Sequence, residues 1–207
     1  MGRSWRGLKA WGPVALALTL SVAAWASQPL GRIEIGAPAP DFVALGSDGR
    51  QHHLADYAGK IVVLEWTSPV CPYTALKYRN GLMQALQRRA LGEGVVWLSI
   101  DTAGVDRPGF LSPQAARARV AQTRARVSAF LFDVDGQIGR AYGARTTPSI
   151  YVIGTDGRLV YQGALDDHPG RKTLGGLNYV AATLDDLRSG RAVGTPETRP
   201  YGCPLEY

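Results

Sequence analysis

The sequence predicts an α/β fold, a layered sandwich in which helices flank a central mixed β-sheet. Three observations point there. Apolar, β-rich runs at 61–66, 95–100 and 129–132 alternate with stretches of helical periodicity, which gives the order βαβαβ. Two later short runs, 149–153 and 158–162, are joined by the turn Thr155-Asp156-Gly157 and read as an antiparallel hairpin. A last helical stretch follows, and strands that alternate with helices before ending in a hairpin and a helix need both parallel and antiparallel neighbours.

Each element has its own signal. Gly36-Ala37-Pro38-Ala39-Pro40-Asp41 is an extended lead-in held open by its prolines, and 42–45 is a strand stopped by Ser47-Asp48-Gly49. Run 61–66 is apolar on both faces apart from Glu65, as a central strand buried on both sides requires. From Pro72 to Leu91, the residues Leu76, Leu82, Met83 and Leu86 recur at helical spacing until Gly92 and Gly94, with Gly81 a point of bending. Run 95–100 is a second buried strand. Ser112 and Pro113 open a helix that runs to about Val127. A short helix at 138–142 and a longer one at 177–188, stopped by Gly190, complete the pattern. Residues 191–207 are rich in Pro and Gly and are expected to be irregular.

A chain of 207 residues has room for one ordinary domain and a short appendage. Its 45% apolar and 19% charged residues exclude a disordered chain. Arg3, Arg6 and Lys9 precede an apolar run at 13–24, no acidic residue interrupts them, and Ala24-Trp25-Ala26 supplies a small-x-small cleavage site. This is the layout of a secretory signal, and a run of about a dozen residues is short for a membrane span. The expected division is a signal peptide at 1–26, a domain at 27–190 and a tail at 191–207 carrying Cys203. The protein is therefore expected in the periplasm or secreted, with membrane contact only if the signal stays uncleaved as an anchor between Trp11 and Trp25. Losing the three N-terminal basic residues lowers the formal charge from +6 to +3. Arg117, Arg119, Arg124 and Arg126 then remain as a basic cluster on one helix, read as a solvated face and not as a nucleic-acid surface.

Cys71 and Cys203 are the only cysteines, and export permits a disulfide between them. With His52, His53 and His168 they show no zinc-ligand spacing. Cys71 stands where a buried strand crosses the loop 67–70 and enters a helix with Pro72 at its first position. Free amides and the positive end of the helix dipole stabilise a thiolate there, and the thiolate is the reactive form. A small buried hydrophobe at a helix start is the plainer alternative. Glu65, inside an apolar strand, is costly to ionise unless it is paired. It relays protons to Cys71, lies in water at the open end of the strand, or pairs with a lysine such as Lys77.

Four segments carry a family resemblance: 37–42 (Ala-Pro-Ala-Pro-Asp-Phe), 64–66 leading to Cys71-Pro72, 141–148 and 152–157. In this order and spacing they resemble the thioredoxin-like redoxins, a group that includes the peroxiredoxins and periplasmic or membrane-anchored thiol oxidoreductases. The resemblance covers about 36–188, and 196–203 looks like the ending of an exported subgroup. It implies a thioredoxin-like three-layer sandwich and a thiol-dependent oxidoreductase that needs no cofactor. Cys71 would be the nucleophile, peroxide or a protein disulfide the substrate, and an external thiol the reductant.

The departures from the family pattern shape the expected mechanism. Thr74 occupies the position three after Cys71 where thioredoxins carry a second cysteine. Ser68 resembles the hydroxyl that peroxiredoxins place three before the cysteine to hold peroxide. Pro148 stands where peroxiredoxins place an activating arginine, and Thr147-Pro148 instead resembles the cis-proline turn of thioredoxins, whose neighbouring backbone can pair with a substrate chain. Arg145 either reaches Cys71 or is a surface residue. Cys203 either swings onto Cys71 as a resolving thiol, forms a static disulfide, or stays unpaired. The balance leans slightly to peroxide reduction, because a lone helix-start cysteine suits sulfenic acid chemistry. The rivals are a copper carrier using Cys71 with His168, which would need Cys203 as a further ligand, and a degenerate redoxin that only binds.

Overall fold

In the computed structural model, residue 1, residues 33–170, residues 176–205 and residue 207 are described. The segment read as a secretory signal lies almost wholly outside the described residues.

β1 (Val43–Gly46) turns back on β2 (Gln51–His53), and a 3-10 turn at Leu54–Tyr57 leads to β3 (Val62–Thr67). The chain continues through α1 (Pro72–Arg79), α2 (Leu82–Gly92), β4 (Val96–Asp101), α3 (Pro113–Thr123), β5 (Ala129–Phe132) and α4 (Gln137–Tyr142). It ends with β6 (Thr146–Thr147), β7 (Ser149–Ile153), β8 (Leu159–Gly163), α5 (Tyr179–Arg188) and β9 (Cys203–Pro204). Seven strands form one sheet in the order β2-β1-β5-β4-β3-β7-β8. β4 lies parallel to both β3 and β5, whereas β7 runs antiparallel to β3 and β8. The sheet is mixed, with β3 and β4 at its centre, as the alternating runs and the hairpin imply.

Successive residues of a strand point to opposite faces, and β3 supplies both cores in this way. Val62, Leu64 and Trp66 pack with Leu98, Ile100, Tyr151 and, from α4, Ile138 and Tyr142. Val63 packs on the other face with Trp97, Ile150 and Val152 under Met83 and Leu86 of α2 and Val180 and Leu184 of α5. Helices therefore cover both faces, the three-layer α/β sandwich predicted. Each fully buried side chain of this kind contributes about 1.5–3 kcal/mol.

Four local outcomes differ from the sequence reading. The helix expected over 72–91 is two helices, because Gly81 adopts φ 78° between them, a conformation that favours glycine. α3 stops at Thr123 and not near Val127, since Arg124 turns left-handed (φ 54°) and Ala125 and Val127 pack on the sheet. β2 was not foreseen. The tail at 191–207, expected to be irregular, is threaded along the domain: Glu197 bridges Gln162 of β8, and β9 pairs with β6. Among the described residues no helix is long and apolar enough to cross a membrane.

Candidate functional site: the Cys71–Cys203 disulfide

β3 delivers the chain into the loop 68–70, and Cys71 caps α1 with Pro72 in the first turn. Cys71 is 1% exposed. It is joined by a disulfide to Cys203, 132 residues away, with the two Cα atoms 5.8 Å apart. The Thr147-Pro148 bond is cis. Its carbonyl is brought against the sulfur: Thr147 O lies 3.0 Å from Cys71 Sγ, placed to accept the thiol proton once the disulfide is reduced. On the same edge β9 runs antiparallel to β6, with Cys203 opposite Thr147 and Pro204 opposite Thr146. Leu205 N extends the ladder by donating to Arg145 O at 2.9 Å.

Of the residues singled out from sequence, the fold thus gathers Cys71, Cys203 and Pro148. Ser68 belongs to the loop before Cys71. Its carbonyl accepts from Cys71 N and its hydroxyl accepts from Val70 N, both at 3.4 Å. Arg145 is exposed and meets the tail through its backbone. Its side chain lines a cavity of about 520 Å³ with Gln162, Glu197 and Arg199. His168 directs Nδ1 to Asp167 and its carbonyl to Lys77 Nζ. Neither sulfur is a free ligand in this state, which removes the donors the copper reading needs.

Glu65 departs from the pairing considered for it. It is fully buried, away from the water expected at a strand end, and Lys77 pairs with Asp166 instead, at 2.8 Å. Four neutral groups donate to the Glu65 carboxylate: Tyr78 OH (3.0 Å), Gln87 Nε2 (3.1 Å), Trp97 Nε1 (2.8 Å) and Ser99 Oγ (2.9 Å). Burial pushes its pKa up, and these hydrogen bonds pull it part of the way back.

Residues 35–162 match the AhpC/TSA family. The chain belongs to that family. A thiol-disulfide oxidoreductase ResA from Geobacillus thermodenitrificans (strain NG80-2) is 26% identical over 129 residues, spanning 61% of this chain and 67% of the relative. A hypothetical protein from Sinorhizobium meliloti 1021 shares the fold with a TM-score of 0.74 and 24% identity, covering 86% of this chain and 96% of that one. A protein assigned as the thiol:disulfide interchange protein DsbE of Chlorobium tepidum superposes with a TM-score of 0.55 and 22% identity over 78% of this chain and 99% of its own. The chain is a thioredoxin-like redoxin with a cysteine pair.

Four features of this redoxin escaped the sequence reading. Lys77, also fully buried, binds Asp166 and the His168 carbonyl, and Tyr201 of the tail donates to Asp166 Oδ1 at 2.5 Å. Asp101, at the end of β4 and in register with Thr67, is 4% exposed, and burial with Asp133 nearby pushes its carboxyl up to about 7 against the pull of Arg119. Arg119 itself, counted among the solvated arginines, donates to the Ser68 carbonyl at 3.3 Å. Thr74 and Thr147, the neighbours of Cys71 in the helix and in the cis turn, bury hydroxyls that have no partner among the described residues. The spacing of Thr74 was the one available signal; pairings over 89 residues, such as Lys77 with Asp166, leave no local trace.

Proposed function

We propose that this redoxin exchanges disulfides with polypeptides outside the cytoplasm, Cys71 attacking and Cys203 resolving. One observation carries the reading: Cys203 is bonded to Cys71 while its strand is paired, backbone to backbone, with the residue before the cis proline. In the reduced protein the Cys71 thiolate attacks one sulfur of a substrate disulfide, forming a mixed disulfide and releasing the other substrate sulfur as a thiolate. The Cys203 thiolate then attacks Cys71 Sγ, and the second substrate sulfur leaves. The substrate gains two electrons, and the protein is left as the disulfide described above. Two equivalents of an external thiol return it to the dithiol and leave as their own disulfide.

The lean from sequence towards peroxide gives way here to disulfide exchange. The Ser68 hydroxyl is engaged by Val70 N, and the edge beside Cys71 is one that pairs with an extended chain. The basic, apolar and small-residue order of 3–26 and a cysteine pair closed as a disulfide both suit an oxidising compartment. The domain is taken as 27–190, with 191–207 its resolving arm.

Stopped-flow rates for the reduced protein against hydrogen peroxide and against a cystine-bridged peptide test the reading. The peptide is expected to react faster, and mass mapping of the product should recover Cys71 linked to Cys203. A peroxide rate orders of magnitude above the peptide rate, or a Cys203→Ser variant that turns over as well as the wild type, would sink it.

A further inference from the structure

We infer that the groove now filled by the tail selects the substrate: it takes an extended segment of another protein in which a tyrosine, then a glycine, precede the disulfide cysteine. The inference rests on the exchange reading above and names what that site accepts. Cys71 is 1% exposed. A substrate sulfur reaches it by taking the place that Cys203 holds, so the shape around the tail is the mould a substrate must fit.

Two side-chain positions of the mould are specific. At Gly202 the backbone lies at φ 132°, and a Cβ would stand 1.9 Å from Thr147 O and 2.6 Å from Thr147 C. Those are backbone atoms of the cis turn and cannot give way, so the residue before the cysteine has to be glycine. One residue earlier, the Tyr201 ring has the Lys77 ammonium 5.5 Å from its centroid and the Tyr73 ring 6.1 Å away. Its hydroxyl donates to Asp166 Oδ1 at 2.5 Å. Burial and the Asp166 carboxylate hold that phenol protonated, so it stays a donor.

The cradle exists for more than packing. Lys77 Nζ donates to both Asp166 oxygens (2.9 and 2.8 Å) and to the His168 carbonyl (2.6 Å), and His168 N adds a bond to Asp166 at 3.0 Å. A buried ion pair is stable only when its remaining bonding positions are filled, and the phenol of the bound segment fills one of them. Neither Lys77 nor Asp166 has a part in the sulfur chemistry. Together they make a polar socket two residues from the reacting sulfur, which a phenylalanine could enter but not satisfy.

The test uses the full chain as Cys203→Ser, whose only thiol is Cys71, and the peptide Arg-Pro-Tyr-Gly-Cys-Pro-Leu copied from residues 199–205. The peptide cysteine is supplied as its mixed disulfide with thionitrobenzoate. Cys71 attacks the peptide sulfur, the new disulfide forms, and thionitrobenzoate leaves with the electron pair and is read by its absorbance. The tyrosine peptide should react about tenfold faster than its phenylalanine analogue, and faster still than the analogue with alanine for glycine. In Asp166→Asn the preference for tyrosine over phenylalanine should shrink. Because the peptides vary while the protein is fixed, folding defects cannot imitate the result. Equal rates for all three peptides overturn the inference and leave the exchange reading standing. Failure of Cys71 to react with any peptide or with a small disulfide overturns both. Cross-linked dimers as the main product of oxidising dilute wild-type protein would make a second copy the occupant and overturn its assignment to another protein.

Discussion

Glu65 and Asp166 are both buried carboxylates bonded to side chains of α1, the helix that Cys71 caps, yet they are satisfied in opposite ways. Glu65 takes its hydrogen bonds from neutral donors within the domain: a tyrosine, a glutamine, a tryptophan and a serine on α1, α2 and β4. Asp166 is held by the buried Lys77 and completed by Tyr201, which arrives with the tail. The first centre is closed whatever the state of the disulfide. The second depends on where the tail lies, and the tail is fastened to Cys71. The comparison separates a polar core completed within the domain from one that the tail completes.

Cutting the tie should show the difference most strongly. Reduction, or Cys203→Ser, removes a cross-link that closes a loop of 132 residues, worth about 5 kcal/mol in the loop-entropy picture. Urea unfolding of oxidised wild type against Cys203→Ser should recover a loss of that order, with earlier amide exchange at Thr198, Cys203 and Leu205 than at β3 and β4. Uniform exchange throughout the sheet and tail would contradict the separation.

Next in size is Glu65→Ala, which leaves the hydroxyl of Tyr78, the amide of Gln87, the Trp97 indole and the Ser99 hydroxyl without their acceptor. Several orphaned buried donors should destabilise by about 3 kcal/mol or more. The loss should be the same in oxidised and reduced protein, since none of those groups touches the tail. A loss that doubled on reduction would tie Glu65 to the disulfide.

The two centres also differ in how far they could be read from sequence. Glu65 announced itself as a charge in an apolar strand, and only its partners were misjudged, because Lys77 sits close in the chain but turns to Asp166. The central strands, the bend at Gly81, the placement of Cys71 at the start of α1 and the cis bond before Pro148 were legible because each has a local cause in branched residues, glycine, a helix start or proline. β2 was not, since Gln51, His52 and His53 form a three-residue edge strand that is wholly polar and has no apolar alternation. β9 is two residues long and exists because Thr146 and Thr147 offer it an edge. Nothing in Pro196 to Cys203 alone encodes that pairing.

Asp101 offers a third case, an acid with neither a ring of donors nor a lysine. Its carboxyl is pushed up to about 7, above the value of 3.8 for a free side chain. Between these values the folded protein keeps a proton that the unfolded chain has released, so stability falls as pH rises through the folded value. The expected loss from pH 5 to pH 8 is about 2.5 kcal/mol. Asp101→Asn should flatten that slope, and its stability relative to wild type should improve on the alkaline side. An unchanged slope in chemical unfolding at the two pH values would assign the pH dependence elsewhere.

The smallest expected effect is the most selective for redox state. Thr74 is fully buried, and its hydroxyl has no partner among the described residues while Cys71 is in the disulfide. It stands three residues after the cap of α1, the spacing at which a side chain in the first turn reaches back to the cap residue. When the disulfide opens, the Cys71 thiolate becomes an acceptor at that position, and a hydroxyl donor favours the charged form. Thr74→Val keeps the shape and removes the donor. Stability of the oxidised protein should change by no more than about 0.5 kcal/mol, because an orphaned hydroxyl is exchanged for a methyl. The reduced variant should attack a peptide disulfide several-fold more slowly at neutral pH and recover as the pH is raised, because the thiolate is the nucleophile. This is the reverse of Glu65→Ala, which should cost stability in both states. A Thr74→Val protein that loses stability when oxidised but reacts at the wild-type rate when reduced would place the hydroxyl with the fold and not with the sulfur.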